Sequence, residues 1–476
     1  MFFKHIYEKT LAQASYVIGC QVTREAIVID PRRDIDVYLE TAEDESFKIK
    51  YITETHIHAD FLSGSRELAQ ATEAEILLSN EGGNDWQYEF THTGLKDSDE
   101  ITIGNLKLKV FHTPGHTPEH ISFLLTDLPS SKSPVMIFTG DFVFVGDVGR
   151  PDLLEKAAGI KGTQREAARQ MFQSLKKFKQ LPDYLQVWPA HGAGSACGKA
   201  LGAVPSSTVG YEKISNWALN YYNEEEFIER LLDGQPEPPK YFGTMKRMNK
   251  EGPKILNSLP KAEHLNKDKF IELYNDGVTI IDTRHKDKFS EKHISNTIHI
   301  QDNSSFPTWA GWVLNYSEPF VLMCSESRIE HLTRCLIRVG LDNITGYFSE
   351  TDELTNKEVP FASLPKLSVN ELNDNPDNYY ILDVRGYSEY RDEHIPNSKN
   401  IHAGTLVDNL DKIPANKSIV VQCESGDRSA IAGSLLLKNG YKNVFNLYEG
   451  INGWKSMGFS IEKEPVASLD FASNNR

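Results

Sequence analysis

The sequence predicts a layered α/β protein of about three domains. Apolar, β-branched runs alternate with helix-like runs through the first half, as stacked sheets and helices require. Two stretches in the second half repeat one another at a spacing of about a hundred residues. The chain has 476 residues, some three times a domain of roughly 150. These observations place the domains at 1–255, 256–358 and 359–476.

Taken in order, 16–20 and 26–29 read as strands joined by a polar turn, and 34–42 as a helix. The run 49–55 is a strand leading into Thr-His-Ile-His-Ala-Asp-Phe, with a helical pattern over 65–71 behind it. Further strands fall at 106–111, 121–126 and 135–138. Residues 164–181 are amphipathic, with Ala168, Met171, Phe172, Leu175 and Phe178 on one core-facing side. One or two helices over 212–232 close the first domain. The stretch from Gly234 to Pro260 has the Gly, Pro and basic composition of an extended linker.

The formal charge of −16 disfavours general nucleic-acid binding. Five cysteines are scattered without a Cys-x-x-Cys pair, which argues against a disulfide framework and for a reducing, cytoplasmic setting. The N-terminus, MFFKHIYEKTL, has no apolar core of a secretory signal. No apolar run approaches the ~18–20 residues that cross a bilayer, so no membrane segment is expected.

Strand ends carry the chemistry. His56 and His58, two apart in extended backbone, aim the same way. Asp60 adds a hard oxygen, or an acceptor for a histidine N–H. HTPGHTPEH over 112–120 sets His116 in a Gly-Pro turn, Asp141 ends the Thr-Gly-Asp after 135–138, and His191 lies in Pro-Ala-His-Gly after 185–188. Each donor sits at a Gly- or Pro-marked turn.

In this order and spacing, these strand ends resemble the metallo-β-lactamase fold, an αββα sandwich, and within it the persulfide dioxygenases, relatives of glyoxalase II. The resemblance implies one Fe(II) per chain, held by His56, His116 and Asp141. Two histidines and one carboxylate on one face leave positions for oxygen and a substrate. The superfamily pattern ends HxHxDH, and its last histidine helps hold a second metal. Phe61 stands there instead. A second ion would keep Asp60, His191 and a shared Asp141, which favours one metal over two-metal hydrolysis.

His58, Asp60 and His191 then support the ligands or meet substrate. Arg150 and Asp152, in GDVGRPDLL, match an element near the family's metal pocket, and they read equally as a pair bracing a loop. Cys197 and Lys199 lie in a Gly-rich loop that in related enzymes is near the thiol-binding pocket. Cys197 is either a sulfur relay or an inert buried thiol, and Lys199 is a contact for a carboxylate of the thiol carrier.

The repeat sets Asp282-Thr-Arg284 before Lys292-His293-Ile294, and Asp383-Val-Arg385 before Glu393-His394-Ile395. It resembles the rhodanese domain, present twice. Asp383 and Arg385 are read as bracing loops. In the second copy a strand over 419–422 leads to Cys423-Glu-Ser-Gly-Asp-Arg428-Ser429 and then a helix over 430–438. A cysteine feeding a helix N-terminus meets converging N–H groups that favour a thiolate or a bound anion. Arg428 adds a fixed charge for sulfite or thiosulfate. Cys-x4-Arg resembles rhodaneses, whereas phosphatases with an analogous cradle have Cys-x5-Arg. In the first copy, counting back from a helix over 331–339 puts the catalytic slot on Met323, with Cys324 one place late and no glycine matching Gly426. That copy is expected to be degenerate, with Cys335 in its core.

The layout resembles persulfide dioxygenase–sulfurtransferase fusions. It implies oxidation of a low-molecular-weight persulfide, of glutathione or coenzyme A, by O2 to sulfite and thiol. Cys423 would carry sulfane sulfur to or from thiosulfate as a cysteine persulfide. Relatives of this superfamily often form homo-oligomers. The rival reading is a glyoxalase II-like thioester hydrolase, against which Phe61 counts. A third is a sulfur carrier or scaffold with a vestigial metal site, against which the presence of His56, His116 and Asp141 counts.

Overall fold

The strand Gln13–Cys20 is buried at every position, which requires cover on both faces of its sheet. The computed structural model describes residues 1–153, 162–195, 197–198, 201–349 and 353–464, and it shows that cover. One six-stranded sheet runs in sequence order from Phe2–Glu8 to Thr93–Leu95. A second runs Ser207–Thr208, Gln186–Pro189, Met136–Gly140, Ile121–Asp127, Leu106–His112, Glu100–Ile103. Their inner faces share one apolar core, with Tyr16, Ile18, Ile27 and Ile29 meeting Leu108, Val110, Phe123 and Phe138. Tyr38 and Leu68 from the helices Asp36–Asp44 and Ser65–Thr72 cover the outer face of the first sheet. Ala168, Met171, Phe172, Leu175 and Phe178 of the helix Thr163–Phe178 cover the second. This is the αββα sandwich the sequence predicts.

The chain divides into two compact units. The first is Met1–Lys261 with Ser304–Tyr316 and Glu330–Asp342; the second is Ala262–Asn303, Ser317–Ile329 and Asn343–Arg476. Residues of the first repeat copy therefore occur in both. Among the described residues, no helix is long and apolar enough to cross a membrane.

The stretch read as a linker is not extended. It folds into the helix Tyr241–Glu251, which buries Tyr241, Phe242, Met245 and Asn249. These lie at i, i+1, i+4 and i+8, a helical stripe that the flanking prolines and lysines mask. Asn249 decides its place. It accepts from the Ser63 N–H at 2.9 Å and donates to the His58 and Phe61 carbonyls at 2.8 Å each, tying the helix to the His-x-His-x-Asp loop.

In the second unit the repeat is legible atom by atom. A parallel sheet carries Thr279–Asp282 between Ile298–His299 and Phe320–Met323, with Ile344–Phe348 at its edge. A five-stranded sheet carries Tyr379–Asp383 between Lys399–Asn400 and Ser418–Gln422. Arg284 forks onto Asp282 and reaches the Lys292 carbonyl; Arg385 forks onto Asp383 and reaches the Glu393 carbonyl. His293 donates to the Phe289 carbonyl at 2.7 Å, and His394 to the Tyr390 carbonyl at 2.8 Å. Each acid and base of the repeated motif thus closes a loop.

Sheet register corrects the placement of the first copy's catalytic slot. Asp282 pairs with Met323 and Asp383 pairs with Gln422. Met323 therefore matches Gln422, and Cys324 matches Cys423. Counting back from the helix failed because the loops differ in length. Cys324 and Ser325 alone separate strand from helix in the first copy, against Cys423 to Gly426 in the second. The shortfall leaves the first copy without a counterpart of the Gly426 turn. Burial and the nearby Asp302 carboxylate push the Cys324 thiol up to about 12.

Within the first unit, Arg338 is a buried cation that forks onto Asp34 at 2.6 and 2.9 Å and donates to Glu8 at 2.9 Å. Removing one partner of such a group strands the others in low dielectric. Arg338→Met is expected to cost about 3–5 kcal/mol, read as a lower urea midpoint in tryptophan fluorescence. An unchanged midpoint would show that the cluster adds no net stability.

Candidate metal centre and thiol loop

The donors at the strand ends converge. His56 Nε2 lies 3.9 Å and His116 Nε2 3.5 Å from Asp141 Oδ2, and His191 Nε2 lies 3.3 Å from Asp141 Oδ1. All four residues are buried. The other ring nitrogen of each histidine is committed. His116 Nδ1 donates to the Arg150 carbonyl at 2.9 Å and His191 Nδ1 to the Ala12 carbonyl at 3.0 Å. His56 Nδ1 meets Thr55 Oγ1 at 3.0 Å, and that hydroxyl donates its own proton to Asp30 at 2.9 Å. The hydroxyl can therefore only accept from His56. All three rings are held in the tautomer that leaves Nε2 with a free lone pair.

Two of those lone pairs, on His56 and His191, are buried with no hydrogen-bond partner. So are both carboxylate oxygens of Asp60 and of Asp141. Each stranded atom costs roughly 1–3 kcal/mol or more, and a cation at their focus would satisfy them together. The pKa directions describe the same centre. Burial, then the neighbouring His58, holds His56 well below the ordinary histidine range. Burial and Lys246 hold His116 down at about 3. Burial raises Asp141, with Asp60 adding to it and His191 opposing. Neutral imidazoles and a carboxylate short of positive charge form a metal-ready donor set. His56, His116 and Asp141 form one tight donor group, and Asp60, His191 and Cys197 form a second.

The second group exceeds the sequence expectation, which left Asp60, His191 and the shared Asp141 for another ion. The structure adds Cys197. Its thiol is pushed well up by burial and by the Asp141 and Asp60 carboxylates. Phe61 is buried in the place of the missing histidine, its ring 4.4 Å from that of His58. His58 turns away from the focus. Burial opposes its charged form, but Asp30 at 3.1 Å accepts from it, and its pKa rises to about 9. Arg150 and Asp152 form the bracing pair, two bonds of 2.8 Å, and Arg150 also reaches the Pro236 carbonyl. Lys199 lies outside the described residues.

Sequence reasoning missed several neighbours. Asp30 accepts from the Thr55 N–H and hydroxyl and from His58. His120 Nε2 accepts from the Asp141 N–H at 3.1 Å and orients that ligand's backbone. Glu119 accepts from the Ile57 N–H at 2.9 Å. Lys246, on the helix mistaken for linker, has its Nζ 4.2 Å from the Trp86 ring centre. Burial lowers its pKa to about 8, and Glu119 opposes that. A capped reading of residues 241–251 as helix would have found it.

The thiol loop sits at the other end of the chain. Cys423 is buried and its Sγ accepts from the Gly426 N–H at 3.2 Å, with Ser429 Oγ at 3.4 Å. Gly426 has φ +89°, and a Cβ there would lie 2.3 Å from the Tyr448 carbonyl, so only glycine fits. Ser429 donates to Asn446 at 2.6 Å, and Asn446 donates to the Gly426 carbonyl at 3.1 Å. Arg428, read from the sequence as a fixed charge for sulfite or thiosulfate, has a protein partner. It forks onto Glu389 at 2.7 and 2.8 Å. That guanidinium, working against burial, keeps the Glu389 carboxyl low.

Comparison with known proteins agrees with this architecture. The metallo-beta-lactamase superfamily model matches residues 9–191, and the rhodanese-like domain model matches 266–348 and 368–457. The crystal structure of a metallo-beta-lactamase from Staphylococcus aureus subsp. aureus COL is 44% identical, spans 73% of this chain and 99% of its own, and superposes with a TM-score of 0.69. The mitochondrial persulfide dioxygenase ETHE1 of Bos taurus is 29% identical over 202 residues, 40% of this chain and 68% of that protein. A hydroxyacylglutathione hydrolase of Prochlorococcus marinus is 30% identical over 209 residues, 44% of this chain and 70% of that protein. The chain belongs to the metallo-beta-lactamase superfamily, and it joins an N-terminal domain related to the persulfide dioxygenases to two rhodanese-like domains.

Proposed function

We propose that the chain is a persulfide dioxygenase with a thiosulfate sulfurtransferase, bearing one Fe(II) per chain. The observation that carries this reading is the set of buried, unpartnered donor atoms on His56 and Asp141 beside His116, on the same chain as a glycine-cradled cysteine. Two imidazoles and one carboxylate suit ferrous iron and leave its other side for ligands. When bound, the ion supplies redox chemistry for dioxygen and a Lewis-acidic contact for sulfur.

The protein's own part follows from the geometry. Thr55, Arg150 and Ala12 fix the three histidine tautomers. His120 sets the Asp141 backbone. Phe61 fills the position of a further ligand with an apolar ring. The substrate class is a small thiol persulfide, of glutathione or coenzyme A, whose outer sulfur leaves as sulfite after taking up O2 and water while the thiol is released. Cys197, grouped with Asp60 and His191, is the residue proposed to contact that sulfur.

At the second site the Cys423 thiolate attacks a sulfane sulfur, the S–S bond breaks, and sulfite or thiol leaves. Sulfite then attacks the outer sulfur of the cysteine persulfide and departs as thiosulfate, returning the thiolate. The Gly426 N–H stabilises charge on Sγ in both halves. Domain limits of 1–255, 256–358 and 359–476, a cytoplasmic setting consistent with five free cysteines, and a homo-oligomeric state belong to the same proposal.

One observation favours a second reading. Asp60, His191 and Cys197 gather beside Asp141, and hydroxyacylglutathione hydrolases are among the relatives. A two-ion thioester hydrolase would use both donor groups. Anaerobic purification, metal analysis and oxygen uptake with glutathione persulfide separate the two. About one iron per chain with persulfide-dependent uptake is expected. Two hydrolytic ions and turnover of S-lactoylglutathione would select the hydrolase.

His116→Ala is expected to lower oxygen uptake by more than about a hundredfold and leave sulfur transfer from thiosulfate to cyanide intact. Cys423→Ser is expected to do the reverse. If either variant abolishes both activities, the two sites are not separate catalysts. Thr55→Val removes the partner that sets the His56 tautomer. Metal retained after dialysis against chelator should then reflect an affinity loss of roughly 10–100-fold, and wild-type retention would deny Thr55 that role.

A further inference from the structure

The first rhodanese copy lacks the glycine turn, yet it places a cation on the loop of the second. Lys286, the first residue of the helix Lys286–Glu291, has its Nζ 2.6 Å from the Ser425 carbonyl oxygen and 2.8 Å from Asp427 Oδ1. Its side chain is only 12% exposed. Its own N–H donates to Gln301 at 2.8 Å, and its Nζ stands 5.0 Å from the centre of the Tyr448 ring. Tyr448 is the residue whose carbonyl demands glycine at 426, and its hydroxyl donates to Asp287 at 3.3 Å. Asp287 in turn pairs with Lys366.

We propose that Lys286 is a positioning residue for the Cys423 thiolate, supplied by the copy that has no cysteine cradle of its own. The inference rests on the reading of Cys423 as the sulfur-carrying thiol. Its mechanism is a single peptide unit. The Ser425 carbonyl and the Gly426 N–H are the two ends of one planar trans amide and point in opposite directions. Lys286 draws the carbonyl outward, which turns the N–H inward onto Cys423 Sγ at 3.2 Å. Glycine at 426 lets that peptide rotate with little steric resistance, so an external hold has something to decide. The flanking peptide is fixed otherwise, by Asn446 on the Gly426 carbonyl.

The repeat supports this assignment. Asp282 matches Asp383 through sheet register, so Lys286 matches Tyr387. The lysine stands in the copy whose own loop is two residues shorter, and it serves the longer loop next to it. Its ion pair with Asp427 adds little by itself, because that carboxylate is 49% exposed. The carbonyl contact is the informative one. Arg428, the other cation on the loop, is engaged by Glu389 and lies 3.7 Å from Glu424, so it cannot take over the Ser425 carbonyl without leaving them.

The test uses the full chain and follows iodoacetamide alkylation of the Cys423 peptide by mass spectrometry against pH. The charged groups around the loop are Lys286, Asp427, Arg428, Glu424 and Glu389. Lys286→Met is expected to move the alkylation profile up by about one pH unit, a tenfold slower reaction at neutral pH, with a parallel fall in thiosulfate:cyanide transfer. Lys286→Arg should restore both. Lys366→Met removes a like charge that stands 4.1 Å from the same tyrosine ring and should move neither. An unshifted Lys286→Met profile, or an equal shift in Lys366→Met, overturns the proposal. Lys286→Gln gives a milder neutral variant should the methionine form fail to fold, with the same expectations. Wild-type protein that alkylates normally but takes no sulfur from thiosulfate would instead refute the reading of Cys423 and leave the positioning role to be judged on the profiles.

Discussion

The carboxylate of Asp30 is the constraint on which the metal centre depends. It ends the strand Glu25–Ile29 in a left-handed turn, φ 52°, and accepts from the Thr55 N–H at 2.7 Å, the Thr55 hydroxyl at 2.9 Å and His58 at 3.1 Å. Each contact fixes a different degree of freedom. The backbone bond sets where the His-x-His-x-Asp loop leaves the sheet. The hydroxyl bond makes Thr55 an acceptor for His56. The imidazole bond turns His58 away from the focus and raises its pKa. One buried anion thereby converts two similar histidines into one free ligand and one counter-ion, a division that the sequence pattern alone does not make.

The legible part of the molecule was the part written in local pattern. Strand ends bearing His56, His116, Asp141 and His191 sit at Gly and Pro turns, and their sandwich followed from alternating apolar runs. The rhodanese repeat was visible in matched Asp-x-Arg and His-Ile pairs. The illegible part was written in contacts between distant segments. Asp30 lies far in sequence from the histidines it sorts. The helix Tyr241–Glu251 mixes its buried stripe with Lys246, Arg247 and Lys250, and only the His-x-His-x-Asp loop explains why Asn249 is buried. The partner of Arg428 was hidden because Glu389 comes from a helix nearly forty residues upstream.

The two copies show how little separates a scaffold from a site. Both keep the acid–base fork at the first strand and the histidine on the aromatic carbonyl. Both put a cysteine directly after the matching strand. What differs is loop length. Cys423 has room for a glycine in the left-handed region whose N–H returns to the sulfur at 3.2 Å. Cys324 meets a helix two residues later, its N–H goes to the Phe348 carbonyl, and burial keeps it a thiol. Residue identity at the cysteine was retained, and the electrostatics that make a nucleophile were not.

That contrast bears on why the first copy persists in the chain. A domain without a cradle contributes nothing to nucleophilic chemistry on its own account, but it can still furnish charge. Lys286 is a feature of its Asp-x-Arg loop that the second copy lacks, and Tyr387 stands at the matching place. The lysine is held by Gln301 at its backbone and by the Tyr448 face at its head, so its side chain is already ordered when it meets the Ser425 carbonyl. Preorganised charge acts without further reorganisation, and a lysine from a neighbouring fold is preorganised in a way that a flexible residue within the loop is not.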